Sequence, residues 1–235
     1  MKNPLRKRVL RELRDELGKY LVIFLLLTAT IGFVSGFLVA DGSLLAAYEE
    51  GFTLYNIEDG YFDLAKKANK AQIKTMQGWG VQLYENFYVE KSLTNGSTLR
   101  VFAPREQVDL VCLMSGSLPR TADEVAIDRM YADNNGLTPG DTLETEDGRR
   151  WTIRGLVALS DYSCLFSDNN DSMFDSVKFG VGIVSKDGFD ALGTDQLTYH
   201  YAWKYDEPPV DKAAQQDRAE ELMKQMTAEV KLESF

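Results

Sequence analysis

His200 is the only histidine in the chain. It sits between Tyr199 and Tyr201, so neither a histidine-rich zinc site nor an Asp-x-x-His pair can be assembled around it, and it reads as a strand residue rather than a catalyst. Two cysteines, Cys112 and Cys164, allow one internal disulfide if the compartment is oxidising. Their apolar neighbours Val111, Leu113 and Leu165 suit buried free thiols equally well, and no histidine marks either as a nucleophile. Asp168-Asn169-Asn170-Asp171, with Asp175 nearby, offers oxygen ligands of the kind a hard cation prefers. An EF-type calcium loop starting at Asp168 would need Gly and Glu where Met173 and Phe179 stand, which favours a plain polar loop. Ser115-Gly116-Ser117 and Ser160-Asp161-Tyr162-Ser163 do not make a Gly-x-Ser-x-Gly elbow, and there is no Gly-x-x-x-x-Gly-Lys-Ser/Thr phosphate loop. With 36 acids in 235 residues some carboxylate pairs are inevitable on solvated surface. The residues therefore assign no catalytic group, no cofactor site and no metal site. A net charge of −10 also disfavours nucleic acid as a partner, because phosphates would be repelled.

What the sequence does specify is placement. Tyr20 to Ala40 runs for 21 residues without a formal charge. As a helix it would be about 31 Å long, matching a hydrocarbon core of about 30 Å. A secretory signal has a shorter apolar region and a small-residue cleavage site, whereas Val39-Ala40-Asp41 matches Ala-x-Ala poorly, so an uncleaved anchor is expected. Residues 2 to 19 carry seven bases against three acids. Such a flank stays on the cytoplasmic side and puts the chain after about Gly42 outside. Within the anchor, Thr28, Gly32, Gly36 and Ala40 recur every four residues and share one face, centred on Gly32-x-x-x-Gly36. That face suits close packing against another membrane helix, or else simply meets lipid. Before it, Leu5, Val9, Leu10, Leu13 and Leu17 fall near helical spacing among bases. This predicts an amphipathic helix that binds anionic lipid or touches a cytoplasmic partner. The expected organisation is a cytoplasmic basic helix at 1–19, a transmembrane helix at 20–40 and an extracytoplasmic domain at 41–235.

The exterior part reads as α+β with a β-rich lobe. Asp41 to Tyr48 extends the anchor helix. Phe62 to about Gln77 suits a polar surface helix broken by Gly78-Trp79-Gly80. Strands are expected at Val81 to Val89, at Thr98 to Phe102 after the Asn95-Gly96 turn, and at Glu124 to Ile127. Asp128 should cap a helix through Asn134 that Gly136 ends, and Thr138-Pro139-Gly140-Asp141 is a turn. A hairpin joins Thr142–Thr145 to Arg150–Ala158 around Asp147-Gly148. Beyond it come a strand at Phe179–Val184, a short helix at Lys186–Leu192, a strand at Tyr199–Tyr205 and a long helix from Asp211 to about Val230. The aromatic groups around Phe52 to Phe62 and Tyr199 to Trp203 are expected to pack in a core rather than to form a binding surface.

Gly116-Ser-Leu-Pro119, Asp123-Glu124-Val-Ala-Ile-Asp128, Asn135-Gly136-Leu137 with Gly140-Asp141-Thr142-Leu143, and Trp151-Thr-Ile-Arg-Gly155-Leu-Val157 before Asp161-Tyr162 resemble, in that order, FtsX/MacB-type ABC transporter permeases. Each block alone is turn chemistry or a short strand; together they cover roughly Asn3 to Leu192. The resemblance implies that residues 41–235 are a MacB-like periplasmic core domain. It also implies a cytoplasmic ABC ATPase subunit as partner, contact with other permease transmembrane helices or a second permease copy, and contact with membrane lipid. In such permeases a separate ATPase drives movement that passes through the membrane helices to the exterior domain. The substrates or partners are lipoproteins, peptides, lipids or cell-wall hydrolases. Further membrane helices normally follow the exterior domain, so the native chain is expected to continue beyond Phe235. The alternative is a self-contained single-pass protein whose exterior domain senses or binds a ligand.

Overall fold

The computed structural model describes residues 14–168, 173–194, 196–230 and 232–234. The chain divides into two units, Met1–Glu50 and Gly51–Phe235. The basic helix expected at 1–19 lies mostly outside the described residues.

Helix α1 runs from Leu17 to Leu54. Its stretch Leu17–Ala40, 24 residues that include an 18-residue window of mean hydropathy 2.4, is exposed along its length. It is the one helix among the described residues that is long and apolar enough to cross a membrane. Apolar side chains on every face of an unburied helix have no favourable place in water.

The second unit is a mixed sheet with helices against it. Its elements are β1 (Gly60–Leu64), α2 (Lys70–Gln77), β2 (Val81–Glu85), β3 (Tyr88–Ser92), β4 (Thr98–Phe102), β5 (Val111–Gly116), β6 (Glu124–Asp128), α3 (Arg129–Asn135), β7 (Thr142–Glu144), β8 (Arg150–Leu159), β9 (Phe179–Val184), α4 (Lys186–Asp190), β10 (Leu197–Tyr205), α5 (Lys212–Glu229) and β11 (Leu232–Ser234). The strand order is β11-β1-β10-β3-β4-β9-β6-β8-β5, with β2 also on β10 and β7 also on β8.

Strand β10 joins two lobes. Tyr201 to Tyr205 pair with β2, Leu197 and Thr198 pair with β3, and the other edge takes β1 in the register Gly60↔Trp203 to Leu64↔Tyr199. Strand alternation puts Phe62, Leu64, Tyr201 and Trp203 on one face. There they form a core with Met76 of α2 and with Leu222 and Met226 of α5. The other core gathers Trp151, Tyr131, Leu99, Ile127, Ile153 and Val181 around β4, β6, β8 and β9. All six residues of β9 are buried, as a short apolar run inside a sheet requires.

Several expectations hold closely. Asp128 accepts from the Met130 and Tyr131 amides at the start of α3, and Gly136, at φ 65°, ends it in the left-handed conformation. The hairpins β3–β4 and β7–β8 are antiparallel, as read. Phe62 to Gln77 is a correction, because its first part is strand β1. Phe62 and Leu64 are buried by period-two alternation, and the helix begins only after Asn69, whose side chain makes a reciprocal capping box with Gln72. Val81 to Val89 is two strands rather than one: both lie end to end along the same edge of β10, and the regular pairing is interrupted at residues 86 and 87. Strands β5 and β11 were not expected.

Where β5 bulges against β8 the two backbones nearly touch. A Cβ at Gly155 would lie 2.5 Å from the Ser117 carbonyl oxygen, and one at Gly116 would lie 2.4 Å from that of Arg154. Only glycine fits this crossing.

Candidate functional site

The face read from the anchor is open. Thr28, Gly32, Gly36 and Ala40 are exposed along α1, and a Cβ built at Gly32 or Gly36 meets no atom within 4 Å. The Thr30 hydroxyl donates to the Leu26 carbonyl at 2.7 Å, so that polar side chain is satisfied within the helix.

Immediately after α1, residues 55–59 are bonded into the second unit. Asn56, at φ 47°, donates its side-chain amide to the Gln107 carbonyl at 2.6 Å, and its own carbonyl accepts from the Asp109 amide. The Leu110 amide donates to the Tyr55 carbonyl at 2.8 Å. Asp109 is fully buried. Its two carboxylate oxygens accept from the Glu58 amide at 2.8 Å and from the Asn86 side chain at 2.7 Å. On the β10 side, Asp59 accepts from the Tyr205 amide, and Lys204 donates to the Ile57 carbonyl.

This splint contains a buried acidic group. Burial first, then the charges of Asp109 and Asp161, hold the Glu58 carboxyl well above its ordinary range, against the opposing pull of Arg105. Asp109 is raised as well, again chiefly by burial and then by Asp161. Arg105 pairs with Asp161 at 2.6 Å, both side chains buried. Its Nε and Nη2 have no hydrogen-bond partner, although the guanidinium lies 4.1 Å from the Phe102 ring centroid.

Beside the splint, on the sheet face away from α2 and α5, lies a cleft of about 390 Å³ lined by Glu58, Tyr61, Asp63, Tyr88, Arg100 and His200, and by residues 161–164 and 166–168. His200 Nδ1 and Asp63 Oδ1 share a hydrogen bond at 2.6 Å, their strands holding them in register. The Tyr61 ring lies 4.8 Å from the imidazole. Arg100 reaches across from β4, donating from Nε and Nη2 to Glu90 and from Nη1 to the Tyr162 hydroxyl. Burial pushes the Tyr162 phenol up, so it stays protonated.

His200 is thus a strand residue, as expected, but with a carboxylate partner 137 positions away. The signal for Asp63 was its place between Phe62 and Leu64, legible once the segment is read as a strand. Cys164 lines the cleft. Cys112 lies in β5, and neither thiol is in a disulfide. Asp175 caps a turn through the Val177 and Lys178 amides. Residues 169–171 of the polar loop lie outside the described residues. No group of carboxylate, thiol or imidazole side chains able to hold a metal ion occurs among the described residues.

No protein-family model and no curated protein matches the chain. Its structure is similar to the periplasmic region of MacB from Actinobacillus actinomycetemcomitans, at 12% identity and TM-score 0.37, over 72% of this chain and 83% of that one. It is also similar to the extracellular domain of the noncanonic ABC-type transporter YknZ from Gram-positive bacteria, at 13% identity and TM-score 0.36, over 73% and 94%. A third is a Bacillus anthracis protein assigned as a lipoprotein, at 10% identity and TM-score 0.35, over 74% and 92%. All three likenesses are loose.

Proposed function

We propose that the chain is the N-terminal part of an ABC transporter permease of the FtsX/MacB type. It is anchored by α1, with residues 51–235 folded outside the cytoplasm and ATP hydrolysis supplied by a separate subunit. The observation that carries this reading is the meeting of the motif blocks on one strand. The Gly116 block borders β5, the Glu124 block is β6 and the Gly140 block leads into β7, and all three strands pair with β8, the Trp151 block. Residues scattered over about 40 positions of sequence therefore make one structural unit, in which β8 lies between β6 and β5 and also pairs with β7.

The bonding of residues 55–59 into the domain favours a mechanical role. Chain leaving α1 is held by Asp109, Leu110 and β10 and is not a slack tether, so displacement of the helix end would be felt in the sheet. A single-pass ligand-binding protein is the second reading, and the cleft beside Glu58 is what favours it.

The test uses the full-length protein from its native membrane. Purification in mild detergent should bring with it a nucleotide-hydrolysing subunit whose activity changes when the permease is removed. A cysteine placed at the 94% exposed Val210 (Val210→Cys) should react with a membrane-impermeant maleimide in intact cells. Labelling without any associated ATPase would leave the single-pass reading in place and reject the permease.

A further inference from the structure

Strand register gathers a set of rings on the cleft face of the sheet. His200 pairs with Asp63 across β1 and β10, Tyr61 stands opposite Ala202, and on the other edge of β10 Tyr88 stands opposite Thr198. Positions 198, 200 and 202 share one face, so Asp63, Tyr61 and Tyr88 share it with the imidazole. The Tyr61 ring lies 4.8 Å from the imidazole and the Tyr88 ring 5.8 Å. A carboxylate can only accept, so the 2.6 Å bond to Asp63 keeps a hydrogen on Nδ1 and leaves a lone pair on Nε2 of the neutral ring. The His200 side chain is only 8% exposed. Yet Nε2 has no hydrogen-bond partner among the described residues, and it is not among the side-chain atoms sealed from solvent. It opens on the cleft that His200 lines.

An oriented lone pair among rings, in a cleft of about 390 Å³, selects a ligand by exclusion. An anion brings no hydrogen to Nε2 and would meet the carboxylates along the cleft. An ammonium brings three N–H groups, but the other acceptors are engaged. Asp161 is paired with Arg105, the Ser167 carbonyl with Arg100, Asp63 with His200 itself, and Asp168 has a partner of its own. Stripping the ammonium of water there would leave it short of acceptors. An aliphatic alcohol matches Nε2 and wastes the rings. A neutral aromatic hydroxyl answers both, since its O–H donates to the lone pair and its ring packs offset or edge-on against Tyr61 and Tyr88.

We propose that this cleft binds a small neutral phenol, its hydroxyl donating to Nε2 of His200 and its ring against Tyr61 and Tyr88. Asp63 is then a positioning residue, fixing the tautomer that accepts. The inference does not depend on whether the chain serves a permease or a single-pass receptor.

Because His200 is the only histidine, its imidazole can be followed by NMR without assignment in the full chain, labelled with ¹⁵N,¹³C-histidine and held in lipid nanodiscs at neutral pH. The probe is 2-naphthol. Its controls keep the two rings and change the polar group: 2-methoxynaphthalene has no O–H, 2-naphthoate is an anion and 2-naphthylmethylammonium is a cation. The free protein should show hydrogen on Nδ1 and none on Nε2. Titration with 2-naphthol should shift the Nε2 resonance saturably, at a concentration at least tenfold lower than any control needs. His200→Phe keeps a ring and removes the acceptor, and should weaken 2-naphthol binding at least tenfold by fluorescence; Tyr61→Leu should weaken it while the Nε2 shift at saturation persists. An Nε2 that already carries hydrogen in the free protein overturns the proposal, as does 2-methoxynaphthalene, the acid or the ammonium binding as tightly as 2-naphthol. Uptake of 2-naphthol that leaves the His200 signals unmoved overturns it too, as partition into lipid. These readouts on the wild-type chain decide the matter even if a variant fails to fold.

Discussion

Glu58 and Asp109 show how little of an acidic chain's chemistry is visible one residue at a time. Glu58 holds its proton more tightly folded than unfolded, so its contribution to stability is fully present below the ordinary glutamate pKa and is lost as pH rises through the higher folded value. Glu58→Gln removes that loss. Its melting temperature relative to wild type should therefore rise as pH increases above the ordinary glutamate range; a difference that is flat or falls as pH increases would contradict the assignment. Gly155 is a steric case. Alanine there puts a methyl group 2.5 Å from a carbonyl oxygen, and Gly155→Ala should cost about 3 kcal/mol in denaturant unfolding. The motif that contains Gly155 was legible in the sequence; the reason for the glycine was not, because the close approach comes from Ser117, just past the end of the neighbouring strand β5. His200 is similar, since its type and strand placement could be read but its partner Asp63 could not.

Elements closed by nearby residues were read well, and elements closed by distant ones were not. Helix α3 carries both its caps in its own sequence, and the β3–β4 and β7–β8 hairpins announce themselves by their turns. Strand β5 has no such announcement: it pairs with β8 from Val111↔Leu159 onward, and the run Val-Cys-Leu-Met-Ser-Gly lacks an alternating pattern. Strand β1 was read as helix because the polar stretch after Leu64 does suit a helix, and nothing local ends it before Asn69. The 55–59 splint was not legible either, since its anchor Asp109 is some fifty positions away. Asp109→Ala removes the acceptor for the Glu58 amide and the Asn86 side chain at once. Hydrogen exchange should then accelerate at least tenfold at the Glu58 amide while β9 amides stay protected. Equal acceleration in both places would mean that Asp109 supports the fold as a whole and not the splint.

For the whole molecule, one helix suited to a membrane precedes a domain built on a single continuous sheet. If Gly32 and Gly36 admit another helix, then Gly32→Ile with Gly36→Ile should reduce crosslinking between membrane helices several-fold without changing membrane insertion; unchanged crosslinking would assign that face to lipid. The sheet has a further mechanical consequence. Strands β1 and β11 are antiparallel neighbours, in the register Leu64↔Leu232 and Asp63↔Ser234, so going forward along β11 leads back toward the start of β1. Tension between Gly60 and Ser234 would not shear the seam with all its rungs loaded together but unzip it, one rung after another. Among the described residues two registered pairs hold that seam, against five between β1 and β10, and each backbone hydrogen bond adds only about 1 kcal/mol net. Pulled by optical tweezers from those two residues, β11 should peel away at low force while the other strands stay paired, making it a releasable clasp on a stiffer body.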